Sequence, residues 1–102
     1  MLAAWWLRLH GWRILAQRVR VHAGEVDLVA RRGRIVAMVE VKTRQRADDL
    51  ATAIDAHRLR RVAAAATVIA ARYMQAGDDL RIDVMLVTGG WRITHLPHVW
   101  QP

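Results

Sequence analysis

This chain of 102 residues contains no cysteine, no phenylalanine, one lysine and only two glutamates. Without cysteine, disulfide staples and thiolate chemistry are both excluded, a composition that suits a reducing cytoplasm. The longest uncharged apolar run, residues 62–71, is far short of the ~20 residues that cross a bilayer, and arginines bracket it. No membrane span is expected. The opening "MLAAWWLRLH" is apolar, but no basic region precedes it and Arg8 interrupts it, unlike a secretion signal. Repeats and low-complexity segments are absent, and with 54% apolar residues the chain is expected to fold as a single domain around one core.

What the chain has in quantity is arginine, with fifteen copies. They are unevenly spread. Residues 1–46 hold ten basic and three acidic side chains, a net +7, whereas residues 47–102 hold six of each. A surface with that excess attracts polyanions, nucleic acid being the commonest. The same excess also keeps a small protein soluble, so charge by itself leaves both readings open.

Local patterning gives the element order. Residues 2–10 are helix-compatible up to His10-Gly11. "WRILAQRVRV" nearly alternates, with Trp12, Ile14 and Ala16 on one parity, and reads as a strand exposed towards Arg18 and Arg20. Two further strands flank "RRGR". A two-residue Gly33-Arg34 turn sets Asp27 across from Glu40 and Glu25 across from Lys42. Any register of that parity puts Asp27, Glu40 and Lys42 on one charged face, leaving an aliphatic face for the core. A helix is predicted from about Leu50 to Met74, capped by Asp48 or Asp49, with a stripe of Ile54, Val62, Ala65, Ala66, Ile69 and Tyr73. "LRIDVMLV" and "WRITHL" are the last strands, around a Gly89-Gly90 turn. The order helix, three strands, helix, two strands implies an α/β fold with a mixed sheet and helices packed on it.

The charged face carries the chemistry. Two carboxylates facing across a hairpin repel, and without a partner one must take up a proton. A hard divalent cation offsets them: Asp27 and Glu40 each offer an oxygen, the Val41 carbonyl a third, and waters complete an Mg²⁺ (or Mn²⁺) shell. Lys42, two residues past Glu40, projects into the same space. A lysine can lower its pKa when desolvated and handle a water's proton, which an arginine cannot. That combination suits phosphodiester hydrolysis. A purely structural account stays open beside it, in which Glu25 pairs with Lys42, Glu40 pairs with Arg44 and the face is solvated.

"GEVDLV" followed by "VEVKTR" resembles the Asp…Glu-x-Lys signature of the PD-(D/E)xK nucleases. With "HGWRIL", "AIDAHRLRRV", "RIDV" and "ITHL", the chain resembles the YraN family of small bacterial proteins, related to Holliday junction resolvases, over nearly its whole length. The resemblance implies a restriction-endonuclease-like core, Asp27 and Glu40 as metal ligands, Lys42 as the catalytic lysine, and Arg44 and Arg58 on phosphates. Three departures stand out. Val26 replaces the superfamily's proline, Gln17-Arg18 replaces the family's Arg-Asn pair, and a first-helix glutamate of the family would fall at or just ahead of Met1. Either the first helix begins earlier than the sequence shown, or this member lacks that ligand.

Arg58 and Arg61 share a helix face and, with Arg20 on the strand before the hairpin, are candidate phosphate contacts. Glu25 is a supporting acid. The five histidines show no paired ligand spacing, so no zinc site is expected, and His95 reads as a structural hydrogen-bonder. Asp83, inside an apolar strand, needs an arginine or a backbone donor. The tryptophans read as the aromatic part of the core, with Trp100 the candidate for a partner surface. The expected function is metal-dependent DNA cleavage, of branched DNA if the resemblance holds, by a homodimer that cuts two strands symmetrically. Two alternatives are a non-catalytic nucleic-acid-binding module with a degenerate nuclease site, and a small scaffold.

Overall fold

A computed structural model describes residues 1–45 and 56–100. Its elements are α1 (Leu2–Leu9), β1 (Arg13–Val21), β2 (Gly24–Arg32), β3 (Ile35–Arg44), α2 (Ala56–Tyr73), β4 (Asp79–Thr88) and β5 (Arg92–Leu96). The predicted order therefore holds. The Asp48 or Asp49 cap, the helix start near Leu50 and the Ile54 contact lie outside the described residues.

The strands form one five-stranded sheet in the order β1-β2-β3-β4-β5. β3 and β4 run parallel, and every other neighbouring pair is antiparallel. The parallel pair follows from chain length, because β3 can return to β4 in the same direction only through a long crossover, which α2 supplies. Arg32 pairs with Ile35 and Leu28 with Val39, the register that a two-residue Gly33-Arg34 turn demands.

Both faces of the sheet are covered, which corrects the expectation that a single aliphatic face serves the core. On one side Val29, Val36, Met38, Ile82 and Val84 pack against Leu59, Val62, Ala65, Ala66 and Ile69 of α2. On the other, Leu28, Ala30, Ala37, Val39 and Met85 pack against Ala3, Ala4 and Leu7 of α1 and against Trp12. Central strands buried on both faces read as almost continuous apolar runs, and β3 and β4 do so. Side chains such as Met38 and Ile69, fully buried here, are each worth about 1.5–3 kcal/mol of apolar burial. Arg31 fastens the far end of α2 to the sheet, donating to Asp78 at 2.5 and 3.1 Å and to the Tyr73 carbonyl at 3.1 Å.

One predicted parity fails in β1. A register shift between Ile14 and Ala16 marks a β-bulge, so Ile14 faces α1 while Ala16 faces α2. The tryptophans also divide. Trp12 is buried and Trp100 packs on the α2-side core, but Trp5 is 61% and Trp91 74% exposed, so neither of these belongs to the core. Trp100, the candidate for a partner surface, is half-buried.

Asp83 is fully buried on the α1 side and finds the partners predicted for it. Arg81 donates to it twice at 2.8 Å, His95 Nε2 lies 2.7 Å away, and the His98 backbone N–H donates at 3.0 Å. Burial pushes the Asp83 carboxyl up, but these donors together outweigh it and hold the group below its ordinary value. The guanidinium groups of Arg32 and Arg81 lie over the Trp12 ring, at 4.6 and 5.3 Å from its centroid.

Candidate functional site

The site exists because β2 leaves the sheet early. Its ladder with β3 ends at Leu28 and Val39, while β3 continues beside β4 as far as Arg44 and Thr88. Beyond Leu28, β2 stays paired with β1 out to Val21 and Gly24, so the end of that hairpin moves away as a unit. Two-stranded ribbons twist more than sheets do, and this one twists sharply. Val19, Val21 and Val26 pack on the α2-side core, whereas Leu28, which would share a face with Val26 in a regular strand, packs on the α1 side.

The turning point is the facing pair Arg18 and Asp27. Arg18 lies between the Gln17–Leu28 and Val19–Val26 pairs and has φ 54°, in the left-handed region that side chains with a Cβ avoid. Past it, the hairpin folds over α2. Gly24 comes so close that a Cβ there would lie 3.0 Å from the Arg61 carbonyl oxygen and 3.5 Å from Ala65 Cβ. Only glycine fits that contact without displacing helix backbone.

The wedge between the departing β2 and the continuing β3 is a cleft of ≈ 320 Å³ lined by Gly24, Glu25, Asp27, Glu40, Val41, Lys42, Arg58, Arg61 and Val62. Of the predicted site residues, Asp27, Glu40, Val41, Lys42, Arg58, Arg61 and Glu25 thus converge on one cavity. Arg20 does not line it. It is on the exposed hairpin end, paired with Glu25 at 3.3 Å. Arg44 lies one turn of the pleat beyond Lys42, with Nη1 donating to the Thr43 carbonyl at 2.8 Å. Gly24 and Val62 were not anticipated, because the lining they provide depends on the hairpin folding over.

Asp27 occupies the place of the missing ladder. The Val41 N–H donates to its Oδ2 at 2.7 Å, so the side chain satisfies a backbone donor that β2 has abandoned. Burial raises the Asp27 carboxyl above its ordinary value, the Val41 bond opposes this, and the negative charges of Glu40 and Glu25 add to the rise against the pull of Lys42. The balance is set first by burial, with the two neighbouring carboxylates adding to it.

Glu40 and Lys42 are both buried, at 8% and 6% exposure, and Lys42 Nζ lies 2.5 Å from Glu40 Oε1. Arg58 Nη2 stands 3.6 Å from the same oxygen. The anticipated Glu25–Lys42 pair does not form, because the β2–β3 ladder ends before those residues could face each other. Glu40 is neutralised by Lys42 and Arg58 rather than by Arg44. Among the described residues, no three His, Cys, Asp or Glu side chains are gathered as a ready metal cage. The two carboxylates of Asp27 and Glu40 nonetheless suit a hard, partly hydrated ion, since Mg²⁺ is commonly held by one or two carboxylates together with waters or phosphate oxygens. Among the described residues no helix is long and apolar enough to cross a membrane.

These features define an α/β protein with a mixed five-stranded sheet and an acid- and cation-lined cleft where the first hairpin parts from the central strand. Residues 1–87 match the model of the uncharacterised protein family UPF0102. The chain belongs to that family, the one also known as YraN. It is 66% identical over 100 residues to a UPF0102 protein of Sphingopyxis alaskensis, covering 98% of this chain and 86% of that protein. Similarity extends to a Rhizorhabdus wittichii protein at 62% identity, covering 97% of this chain and 84% of the relative. A Parvibaculum lavamentivorans protein is 44% identical, with 99% and 77% covered.

Proposed function

We propose that this chain is a metal-dependent endonuclease-like protein of the PD-(D/E)xK type, with a restriction-endonuclease-like core, that hydrolyses phosphodiester bonds in DNA, including branched DNA. The observation that carries the reading is the convergence of Asp27, Glu40 and Lys42 with Arg58 and Arg61 in one cleft, achieved by a strand that gives up its ladder to bring Asp27 there. A fold that bends a strand to desolvate the Asp27 carboxylate near a second carboxylate bears a cost that a bound cation offsets.

In this reading Asp27, Glu40 and the Val41 carbonyl hold Mg²⁺ or Mn²⁺, which supplies charge neutralisation at phosphate and an acidified water. Lys42, already in contact with Glu40, positions the nucleophile's proton and balances charge on the attacked phosphate. Arg58 and Arg61 on α2, and Arg44 beyond Lys42, take flanking phosphates. Arg20 reaches the backbone from the hairpin end, and Glu25 supports Asp27 from the same cleft. The cytoplasm is the compartment of its substrate, and a homodimer is the form that cuts two strands.

A second reading has an observation of its own. Glu40 is already neutralised by Lys42 and Arg58, as in a nucleic-acid-binding module whose nuclease site has degenerated. Incubation with a labelled four-way junction separates the two. The nuclease reading requires cleavage that depends on Mg²⁺ or Mn²⁺ and disappears in Lys42→Ala while binding persists. Salt-sensitive binding without product at any metal concentration favours the module, and absence of both at low salt refutes both readings.

A further inference from the structure

The end of the sheet beyond Lys42 carries an aromatic and a cation that the proposed nuclease site does not use. β4 and β5 are joined by Gly89-Gly90-Trp91, with Thr88 paired to Arg92. Both glycines have positive φ, 60° and 83°, and the Trp91 N–H closes the turn on the Thr88 carbonyl at 3.3 Å. That is a tight primed turn followed by one extra residue. The extra residue is Trp91. It has no cross-strand partner and is 74% exposed, against 3% for Trp12. A large ring held on a rigid corner and left in water is not a packing element.

Register fixes what lies beside it. Lys42 pairs with Leu86 and Leu86 with Thr94, while Arg44 pairs with Thr88 and Thr88 with Arg92. Residues that pair share a face, so Arg92 lies on the same face of the sheet as Lys42 and Arg44. The packing agrees, since Val84 and Leu96, of the same parity, join the α2-side core. Arg92 is exposed and makes no ion pair or side-chain hydrogen bond among the described residues. At ~3.3 Å per residue along a strand and ~4.8 Å between strands, Arg92 lies about 12 Å from Lys42. That is the rise of three to four stacked nucleotides on one strand. Asp78 and Asp79 stand at β4's other end, and among the described residues the charged neighbours of this corner along the sheet are Arg44 and Lys42.

We infer that the Trp91–Arg92 corner is a second contact for the nucleic acid in the cleft, with Arg92 on a phosphate and Trp91 stacked on an unpaired base a few nucleotides from the bond held at Lys42. This rests on the proposed nucleic-acid reading of the cleft and adds a substrate class: strands with unstacked bases beside the cut, such as forks, flaps and single strands, are preferred over continuous duplex. A duplex keeps its bases inside its own stack and offers the indole nothing to cover. An unpaired base has a free face, and stacking on it is indifferent to sequence.

The test is fluorescence anisotropy in EDTA with three labelled oligonucleotides: a duplex, a fork with a short unpaired arm, and a single strand. Wild type is compared with Trp91→Ala, Trp91→Phe and Arg92→Ala, with circular dichroism as the check on folding. Trp91→Ala weakens fork and single-strand binding roughly five- to hundredfold, the worth of one stacked base, and changes duplex binding less than twofold. Trp91→Phe restores most of the loss. Arg92→Ala flattens the salt dependence by about one counterion on the fork. Equal binding of the fork by wild type and Trp91→Ala, or equal losses on fork and duplex, overturns the inference and leaves the cleft reading intact. Failure of wild type to bind any of the three at low salt overturns both.

Discussion

Lys42 and Glu40 allow a quantitative check on whether the cleft is a charged interior or an open surface. Both side chains are buried and 2.5 Å apart. Removing one partner of a buried ion pair leaves an uncompensated charge and typically costs about 3–5 kcal/mol. Two features lower the figure for Lys42→Ala. Arg58 remains 3.6 Å from the same oxygen, and the cleft admits water, so about 2–3 kcal/mol is expected. With an unfolding entropy of ~2.1 cal/mol/K per residue, that is a fall in Tm of about 10–14 °C for a domain of this size. Glu40→Ala relieves the crowding around Asp27 while stranding Lys42, and is expected to cost about the same. The double variant should lose much less than the two singles together, giving a coupling energy of about 1.5–2.5 kcal/mol. Urea denaturation followed by tryptophan fluorescence measures all four proteins. Additivity within about 0.5 kcal/mol, or a Lys42→Ala variant as stable as wild type, would falsify the picture of a buried, mutually dependent pair.

Three other outcomes follow from the geometry. Because the folded state raises the Asp27 carboxyl, its protonated form favours folding below the ordinary value of 3.8 and that contribution is lost as pH rises through the raised value. Asp27→Asn should therefore unfold at higher temperature than wild type at neutral pH, with the gain fading towards pH 3; a lower Tm at neutral pH contradicts the shift. Asp83 has the opposite sign: its depressed carboxyl stabilises the fold above 3.8 and the contribution is lost as pH falls through the lowered value. Asp83→Ala should cost about 3–5 kcal/mol at pH 7 by stranding Arg81, and an acid-unfolding midpoint unchanged by this variant counts against the network. At Arg18, whose φ is 54°, Gly should be neutral or stabilising by up to ~1 kcal/mol, while Val should destabilise by more than ~1 kcal/mol. The reverse ranking in chemical denaturation would mean the bend is set elsewhere.

Much of the scaffold could be read from periodicity. Glycine at position 33 set the hairpin register, the near-continuous apolar character of residues 35–41 marked a central strand, and the helix between β3 and β4 forced a parallel pair. The charged trio Asp27, Glu40 and Lys42 was also visible, because alternation fixes parity once the turn is known. The separation of β2 from β3 was not. It depends on a left-handed arginine opposite Asp27, and arginine is not a residue whose identity announces that conformation. For the same reason the Glu25–Lys42 pairing extrapolated from the register fails, and the lining by Gly24 and Val62 could not be foreseen. Trp91 was misassigned to the core because composition cannot tell a buried indole from one on a turn. The neighbouring Gly89-Gly90 was the available signal, since a residue just past a tight turn has no strand to lie against.

The parallel junction between β3 and β4 also dictates an order of assembly. Ile35 and Asp79 are neighbours in the sheet yet 44 positions apart in the chain, whereas the β2–β3 hairpin closes over two residues. Hairpins form in microseconds, and contacts across long intervals come later. The hairpin that carries Asp27, Glu40 and Lys42 is therefore born before α2 delivers Arg58 and Arg61, and during that interval the two acids have only Lys42 and solvent to answer them. A nascent chain halted before α2 would hold its carboxylates together and the apolar face around Val29, Val36 and Met38 bare, so the arrival of α2 is what turns a sticky ribbon into an enclosed cleft.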